Sequence, residues 1–495
     1  MPSGPRSIHQ WRQADCLSIT QNFYMENRPF LEPAIHWVGD ADGRTISECP
    51  IIYYSVAKLW QWFGKEYWVF RTINILLVFI GLWSLFRITL RVTSESYWAI
   101  FLPLFLFSSP ILAYYSNNFM ADAPALGLAL TGGYLAYLGV MDRKKWAYYL
   151  AFGVFLIAGL IKISSMILFI ALGIWHLWSA LRGRLRNDLV HWTAWVPYLI
   201  VVTALFLWYR YSNQFNSENV DGIFLTGLFP IWELNGDQIR DIWNSLSGEL
   251  LPAFFTTQGL WLLGILFVGL LGMARKVNDN WLGLTVILAG GLAGFILLFY
   301  QAFTVHDYYL TNLLIFIPVL LLAVLDTVKK QYQNLLKNRW VKIVAGLILA
   351  LFIYKTALTN RMKYSAEDPW LQYNFVVGQG RIDFWKWFHE DYEQHMKAYE
   401  SITGYLRSLG IDREDRVLSF SDNSINITLY LMDQKGFSSF GYQALSLEDK
   451  MKVYRDNGVR YIIVDENSDD VRAIESYLGA KMGQYENVGI YYLAD

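Results

Sequence analysis

The chain has 495 residues, of which 54% are hydrophobic, 17% aromatic and 17% charged. That charged share lies well below the roughly 25% of soluble domains and excludes an ordinary globular protein. The formal net charge of −1 comes without a basic stripe, which excludes a nucleic-acid partner.

Residues 1–67 hold no run long enough to cross a bilayer. Arg12 to Tyr24 can form a short helix. Pro50 to Phe63, PIIYYSVAKLWQWF, is apolar almost all round, and Pro50 suits a first helical turn. Both stretches read as helices lying in or near the membrane interface.

Ten candidate spans follow, at about 69–90, 96–116, 122–141, 146–161, 163–181, 191–211, 258–274, 281–301, 308–327 and 341–358. Arg91, then Arg143 to Lys145, then Arg182, Arg184 and Arg186, then Arg275 and Lys276, then Lys329, Lys330, Lys337 and Arg339 fall in every second connection. The positive-inside rule puts those connections in the cytoplasm. It puts residues 1–67, the loop 212–257 and the tail 359–495 on the extracytoplasmic side of a multi-pass protein of the cell (inner) membrane. With residues 1–67 outside, a further spanning helix is expected upstream of the first residue.

The sequence therefore divides into a first outer loop at 1–67, a transmembrane domain at 68–358 and a soluble α/β domain at 359–495. In the tail, Arg416–Ser421 and Arg460–Asp465 have the pattern of buried strands, and Ser446–Asn457 and Asp470–Leu478 that of helices. No Gly-rich strand-to-helix turn is present, so no nucleotide is assigned.

Three acidic residues collect on the outer face: Asp15, Glu48 and Asp122. Glu48 and Asp122 stand at helix N-termini, where the dipole favours an ionised carboxylate. Such carboxylates accept protons, bind a divalent cation, or do both. Plainer roles are open too. Asp122 suits a helix N-cap, Glu48 a solvated charge, and Asp15 a surface ion pair with Arg12.

The segment HQWRQADCLSITQNFY, followed by SECPIIYYSVAKLWQWFG, resembles the first outer loop of the GT-C glycosyltransferases, above all the group of protein O-mannosyltransferases and lipid A aminoarabinose transferases. Bacterial members show a Trp-Arg-Gln-x-Asp run, matched by Trp11 to Asp15, and then a Glu-x-Pro, matched by Glu48 to Pro50. Asn118 to Pro124, Leu160 to Lys162, and His306-Asp307-Tyr308-Tyr309 resemble the later motifs in the same order. The likeness covers about residues 8–360, with a tail of similar type beyond.

The resemblance implies an all-α polytopic GT-C domain, interfacial helices in its first outer loop, and a C-terminal α/β domain. It implies an inverting hexosyl- or pentosyltransferase with a polyprenyl-phosphate-linked sugar donor. The acceptor is an envelope glycan, a glycolipid or, less readily, a protein. Asp15 is the implied general base. Glu48 and Asp122 would orient the base or hold a divalent metal, a point on which relatives differ. Lys162 would neutralise the donor phosphate, or else its stem lies on apolar surface with its head at the interface. Tyr308 and Tyr309 are candidates to touch that phosphate, against the plain reading of an interfacial aromatic belt. Trp11, Arg12, His306 and Asp307 are further loop candidates.

The two cysteines, Cys16 and Cys49, each follow a motif carboxylate on the oxidising side, so a Cys16–Cys49 disulfide is expected, against the plain reading of two unpaired thiols beside the site. The rival class is a transporter or flippase of a lipid-linked envelope precursor. Against it, the carboxylates gather at one surface and no repeated half is visible.

Overall fold

The computed structural model describes residues 4–494 except 186, 220–223, 225, 226, 366, 368, 373 and 443. It divides into two compact units. One comprises Met1–Phe70, Tyr211–Leu225 and Arg361–Asp495, and the other Arg71–Arg210 and Thr226–Asn360.

The first unit is built around helix α1 (Gln10–Met25), which packs on α2 (Ile51–Phe63). Residues 12–23 of α1 are all buried, polar ones included. Several of the polar ones are hydrogen-bonded within the unit. The Ser18 hydroxyl pairs with His36 Nδ1 at 2.5 Å, Asn22 Nδ2 donates to the Ala34 carbonyl at 2.8 Å, and Gln13 Nε2 donates to the Arg6 and Ile8 carbonyls at 2.9 Å. Helix α2 buries Ile52, Tyr53, Val56, Ala57 and Trp60 and exposes Leu59, Trp62 and Phe63.

The tail in this unit carries a five-stranded sheet of order β2-β1-β3-β5-β4. The strands are β1 (Val417–Ser419), β2 (Gly436–Ser438), β3 (Tyr461–Asp465), β4 (Leu478–Tyr485) and β5 (Val488–Leu493). β1 runs parallel to β2 and β3, while β5 runs antiparallel to β3 and β4. The expected strands at 416–421 and 460–465 are β1 and β3, both buried throughout. The helix expected at 446–457 is Leu447–Asp456, capped by the Ser446 hydroxyl. The next segment is a 3-10 helix, Asp469–Tyr477.

The first segment of the chain joins this sheet. Trp37 bridges Gly436 in parallel, with Gly436 N–H bound to the His36 carbonyl at 3.2 Å and Val38 N–H bound to the Gly436 carbonyl at 2.9 Å. Gly436 has φ +155°, and a Cβ there would strike the backbone of Val417. Arg413 fastens the same region, reaching Asn22 at 2.6 Å, Glu26 at 2.9 Å and Asp433 at 2.9 Å. Buried Lys435 adds an ion pair to Glu26 at 2.8 Å.

Seven described helices are long and apolar enough to cross a membrane, and nine if each of two bent pairs counts as one span. The protein is a multi-pass membrane protein. In chain order the helices begin with α3 (Tyr67–Thr93), α4 (Ser96–Phe107), α5 (Pro110–Ser116), α6 (Asp122–Met141), α7 (Lys145–Ile161) and α8 (Ile167–Leu181). Trp192–Asn219, Thr257–Gly272, Asp279–Leu298, Asp307–Gln331 and Arg339–Met362 complete the set.

Each of the ten expected apolar segments is helical, with three departures. The segment expected at 96–116 is broken by 80° between α4 and α5. Ser109 precedes Pro110, which disfavours helical backbone there; its ψ of 123° is extended, and its hydroxyl caps α5 by accepting from Leu112 N–H. Thr257–Gly272 meets Gly236–Phe254 at an 88° bend, and α7 is shorter than a full span at 17 residues.

Within the second unit α6 lies close against α3. Gly81 and Gly127 face each other, and a Cβ on either would strike the other helix's backbone. Asn74 on α3 donates to the carbonyls of Asn118 at 2.8 Å and Met120 at 3.1 Å, which fixes the turn that delivers Asp122 to the start of α6.

Candidate functional site

In the first unit, one turn of α1 places Arg12, Asp15 and Cys16 together. Arg12 Nη2 donates to Glu48 Oε2 at 2.5 Å, and the Tyr53 hydroxyl donates to Glu48 Oε1. The Phe224 ring covers the guanidinium at 5.0 Å. Glu48 is thus held by a cation and a phenol, both buried.

Asp15 is treated differently. It is fully buried, and among the described residues the Asn426 side chain is the one hydrogen-bonding group that acts on its carboxylate. Arg12 Nη1 stands 4.0 Å from Asp15 Oδ2, too far for a hydrogen bond. Asn426, from the tail, directs its Nδ2 to the Ala14 carbonyl at 3.5 Å. Burial pushes the Asp15 carboxyl up to about 7; the Arg12 charge opposes this, and the negative charges of Glu48 and Asp422 reinforce it. A carboxylate poised near neutrality can take a proton.

Cys16 and Cys49 are free buried thiols, so the expected Cys16–Cys49 disulfide is not formed. Cys16 Sγ instead meets the Tyr53 hydroxyl at 3.2 Å. Cys16 belongs to the α1 face packed on Tyr53, whereas Cys49 lies in the turn before α2, where its carbonyl accepts from Ile51 N–H. Burial pushes both thiols up to about 12, which leaves them unreactive. Trp11 is half-buried, its ring edge-on to His9 with centroids 6.3 Å apart.

The second unit gathers the later candidates. Asp122 is the first residue of α6 and the cap position is Ala121, so Asp122 is not the N-cap. Lys162 ends α7 with extended backbone, φ −156° and ψ 114°. Its Nζ lies 3.2 Å from Asp122 Oδ1, 5.3 Å from the Tyr308 ring centre and 5.6 Å from that of Tyr309. The ammonium therefore sits against a buried carboxylate and two aromatic faces. The Tyr115 hydroxyl donates to buried Asp307, and Asn312 donates to the Ser164 hydroxyl at 3.0 Å. His306 packs its ring 5.4 Å from Tyr308.

Among the described residues, no three His, Cys, Asp or Glu side chains converge as a metal site. Glu48 is engaged by Arg12 and Tyr53, and Asp122 by Lys162. Among the described residues this donor set does not fit a divalent ion.

Sequence reasoning missed Tyr53, Tyr115, Asp422 and Asn426. Tyr53 carried a signal, being on the face of α2 that holds Ile52, Val56 and Trp60. The others carried none, because their partners lie 192 residues away for Tyr115 and 412 for Asn426.

The fold has solved counterparts. ArnT from Cupriavidus metallidurans in the apo state superposes with TM-score 0.59 at 11% identity, over 99% of this chain and 94% of that one. The same protein bound to undecaprenyl phosphate gives 0.58 at 12%, over 98% and 94%. The arabinofuranosyltransferase AftD from Mycobacteria gives 0.54 at 15%, over 99% of this chain and 38% of that one. No model of a known family matches the chain, and no curated protein matches it in sequence. The chain has the GT-C fold, a polytopic helical domain with a C-terminal soluble domain.

Proposed function

We propose that this protein is an inverting glycosyltransferase that moves a sugar from a polyprenyl-phosphate donor to an envelope glycan or glycolipid, or to a protein, outside the cytoplasm. The observation that carries this is Asp15, a fully buried carboxylate with no close cation among the described residues, its carboxyl raised to about 7 by burial. ArnT, similar in fold over nearly the whole chain, has been solved with undecaprenyl phosphate.

In this proposal the Asp15 carboxylate takes the proton from an acceptor hydroxyl. The oxygen attacks the anomeric carbon, the glycosyl C–O bond breaks on the opposite face, and polyprenyl phosphate leaves with the bonding pair. Configuration inverts once. The departing phosphate gathers negative charge, which a fixed cation stabilises in a medium of low dielectric. Within the second unit Lys162 is the candidate for such a cation, held by Asp122 and flanked by the rings of Tyr308 and Tyr309. Glu48 sets the charge next to the base.

Right-side-out membrane vesicles make the outer face accessible, and inverted vesicles the cytoplasmic face. Radiolabelled polyprenyl-phosphate sugar presented at the outer face should pass label to an envelope glycan only in vesicles that contain the protein. Equal labelling in vesicles without it overturns the assignment.

A further inference from the structure

The first unit contains a cleft of about 1,050 Å³ that none of the roles above uses. Its walls come from the N-terminal segment and from residues 363–394. The volume is at the upper end for a small-molecule site. Apolar side chains are the minority. Among the described residues, the cations Arg6, Lys363 and Lys386 and the carboxylates Glu367, Glu390 and Glu393 line it together. Among the described lining residues neither sign of charge dominates, which suits a polyanion poorly, and Leu371, Val377, Ile382 and Phe388 share the walls with polar side chains, which suits a lipid chain poorly. Asn374, Gln379 and Gln394 add donors and acceptors side by side, beside the rings of Tyr364 and Phe388. Ligands dense in hydroxyls and of no net charge fit such walls.

The cleft is tied to the helix that carries Asp15. Tyr392 lines it, and its hydroxyl accepts from Gln10 Nε2 at 3.2 Å while donating to Glu400 at 2.7 Å. Gln10 opens α1, and Asp15 stands five residues on, about 7.5 Å along the helix axis. His389 closes one wall, hydrogen-bonded at 2.8 Å to the carbonyl of Met362, the last residue of a membrane helix.

Resting on the glycosyltransferase reading, we propose that this cleft binds the saccharide portion of the acceptor, a neutral oligosaccharide of several units. The test uses the full chain in lipid nanodiscs. The probe is the oligosaccharide pool released by mild acid from the host's envelope glycolipids, followed by saturation-transfer NMR. A pool of Ser/Thr-rich decapeptides is the second arm. The oligosaccharides should receive saturation from the wild type. Ser365→Trp, which fills the cleft, and the double variant Glu390→Ala/Gln394→Ala, on exposed positions, should each weaken binding by about tenfold and raise the acceptor KM with little change in kcat. Undiminished binding by both variants, no saturation with the wild type, or capture of the peptides instead overturns the proposal. Asp15→Asn should bind the oligosaccharides like the wild type. If that variant also transfers sugar normally, the catalytic reading fails while the subsite stands.

Discussion

Arg12 stands three residues before Asp15 on the same helix, yet it gives its hydrogen bond to Glu48 at 2.5 Å and stays 4.0 Å from Asp15. This division of one cation between two carboxylates decides how each behaves. Glu48 is neutralised, and Asp15 is left in low dielectric with only a distant counter-charge.

Glu48→Gln should therefore change Asp15 rather than replace it. The substitution removes a like charge and frees Arg12 to pair with Asp15, so the Asp15 carboxyl titrates lower and is a weaker base. The acidic limb of the pH–rate profile should move to lower pH, and the plateau rate should fall. A limb unmoved from the wild-type position would show that Glu48 does not set the base. Arg12→Ala should be more severe. It removes the cation that Glu48 and Asp15 share and should cost about 3–5 kcal/mol in thermal or denaturant unfolding.

The stability of the first unit should depend on pH in two opposite ways. The Asp15 carboxyl has its pKa raised on folding, from 3.8 to about 7, so the folded state binds the extra proton between those values. Stability is present below pH 3.8 and is lost as pH rises through 7, by an amount on the order of 4 kcal/mol. Glu26 is opposite: burial works against its charge, yet Lys435 and Arg413 hold it down to about 2. Its contribution is present above pH 4.5 and is lost as pH falls toward 2. Buried His36, lowered to about 4, contributes in the opposite sense over much of the same range, so the readout is the difference between proteins: wild-type stability should fall relative to Asp15→Asn as pH rises from about 4 to 7. An Asp15→Asn profile parallel to that of the wild type from pH 5 to 8 would contradict the raised carboxyl.

Lys162 and Asp122 should be coupled. Lys162→Met removes the ion pair to buried Asp122 and should destabilise by about 3–5 kcal/mol. Lys162→Met with Asp122→Asn should recover most of that loss. Transfer activity should not recover, because the cation for the leaving phosphate is still missing. Recovery of both together would reduce the pair to a structural role.

The thiols give a direct chemical check. Native protein should resist maleimide at Cys16, which is fully buried with its pKa near 12. Unfolded without reductant, the protein should take up two labels. No uptake until reductant is added would restore the disulfide.

Much of the fold was legible because the membrane imposes length. Spans such as Asp279–Leu298 announce themselves by apolar runs, and the break at Ser109-Pro110 has a local cause in the proline. β1 and β3 were legible as fully buried runs. β4 was not, since its side chains are mostly exposed or half-exposed and show no clean alternation, and β2 has only three residues. The candidate carboxylates were legible as a pattern, but their partners were not. Nothing local tells Arg12 to choose Glu48, 36 residues on, over Asp15 one turn away. That choice comes from tertiary packing of α1 on α2. The disulfide expectation failed for a related reason: sequence proximity of each cysteine to a motif does not fix which way its side chain points.

The most direct test of the central claim is single-turnover transfer from labelled polyprenyl-phosphate sugar by wild type and Asp15→Asn, from pH 5 to 9. The wild type should gain rate through about pH 7 and then level off. Asp15→Asn should bind the donor, remain folded and lose transfer by at least about 10²-fold at every pH. Transfer by Asp15→Asn at the wild-type rate and with the wild-type pH profile would contradict the assignment of Asp15 as the base.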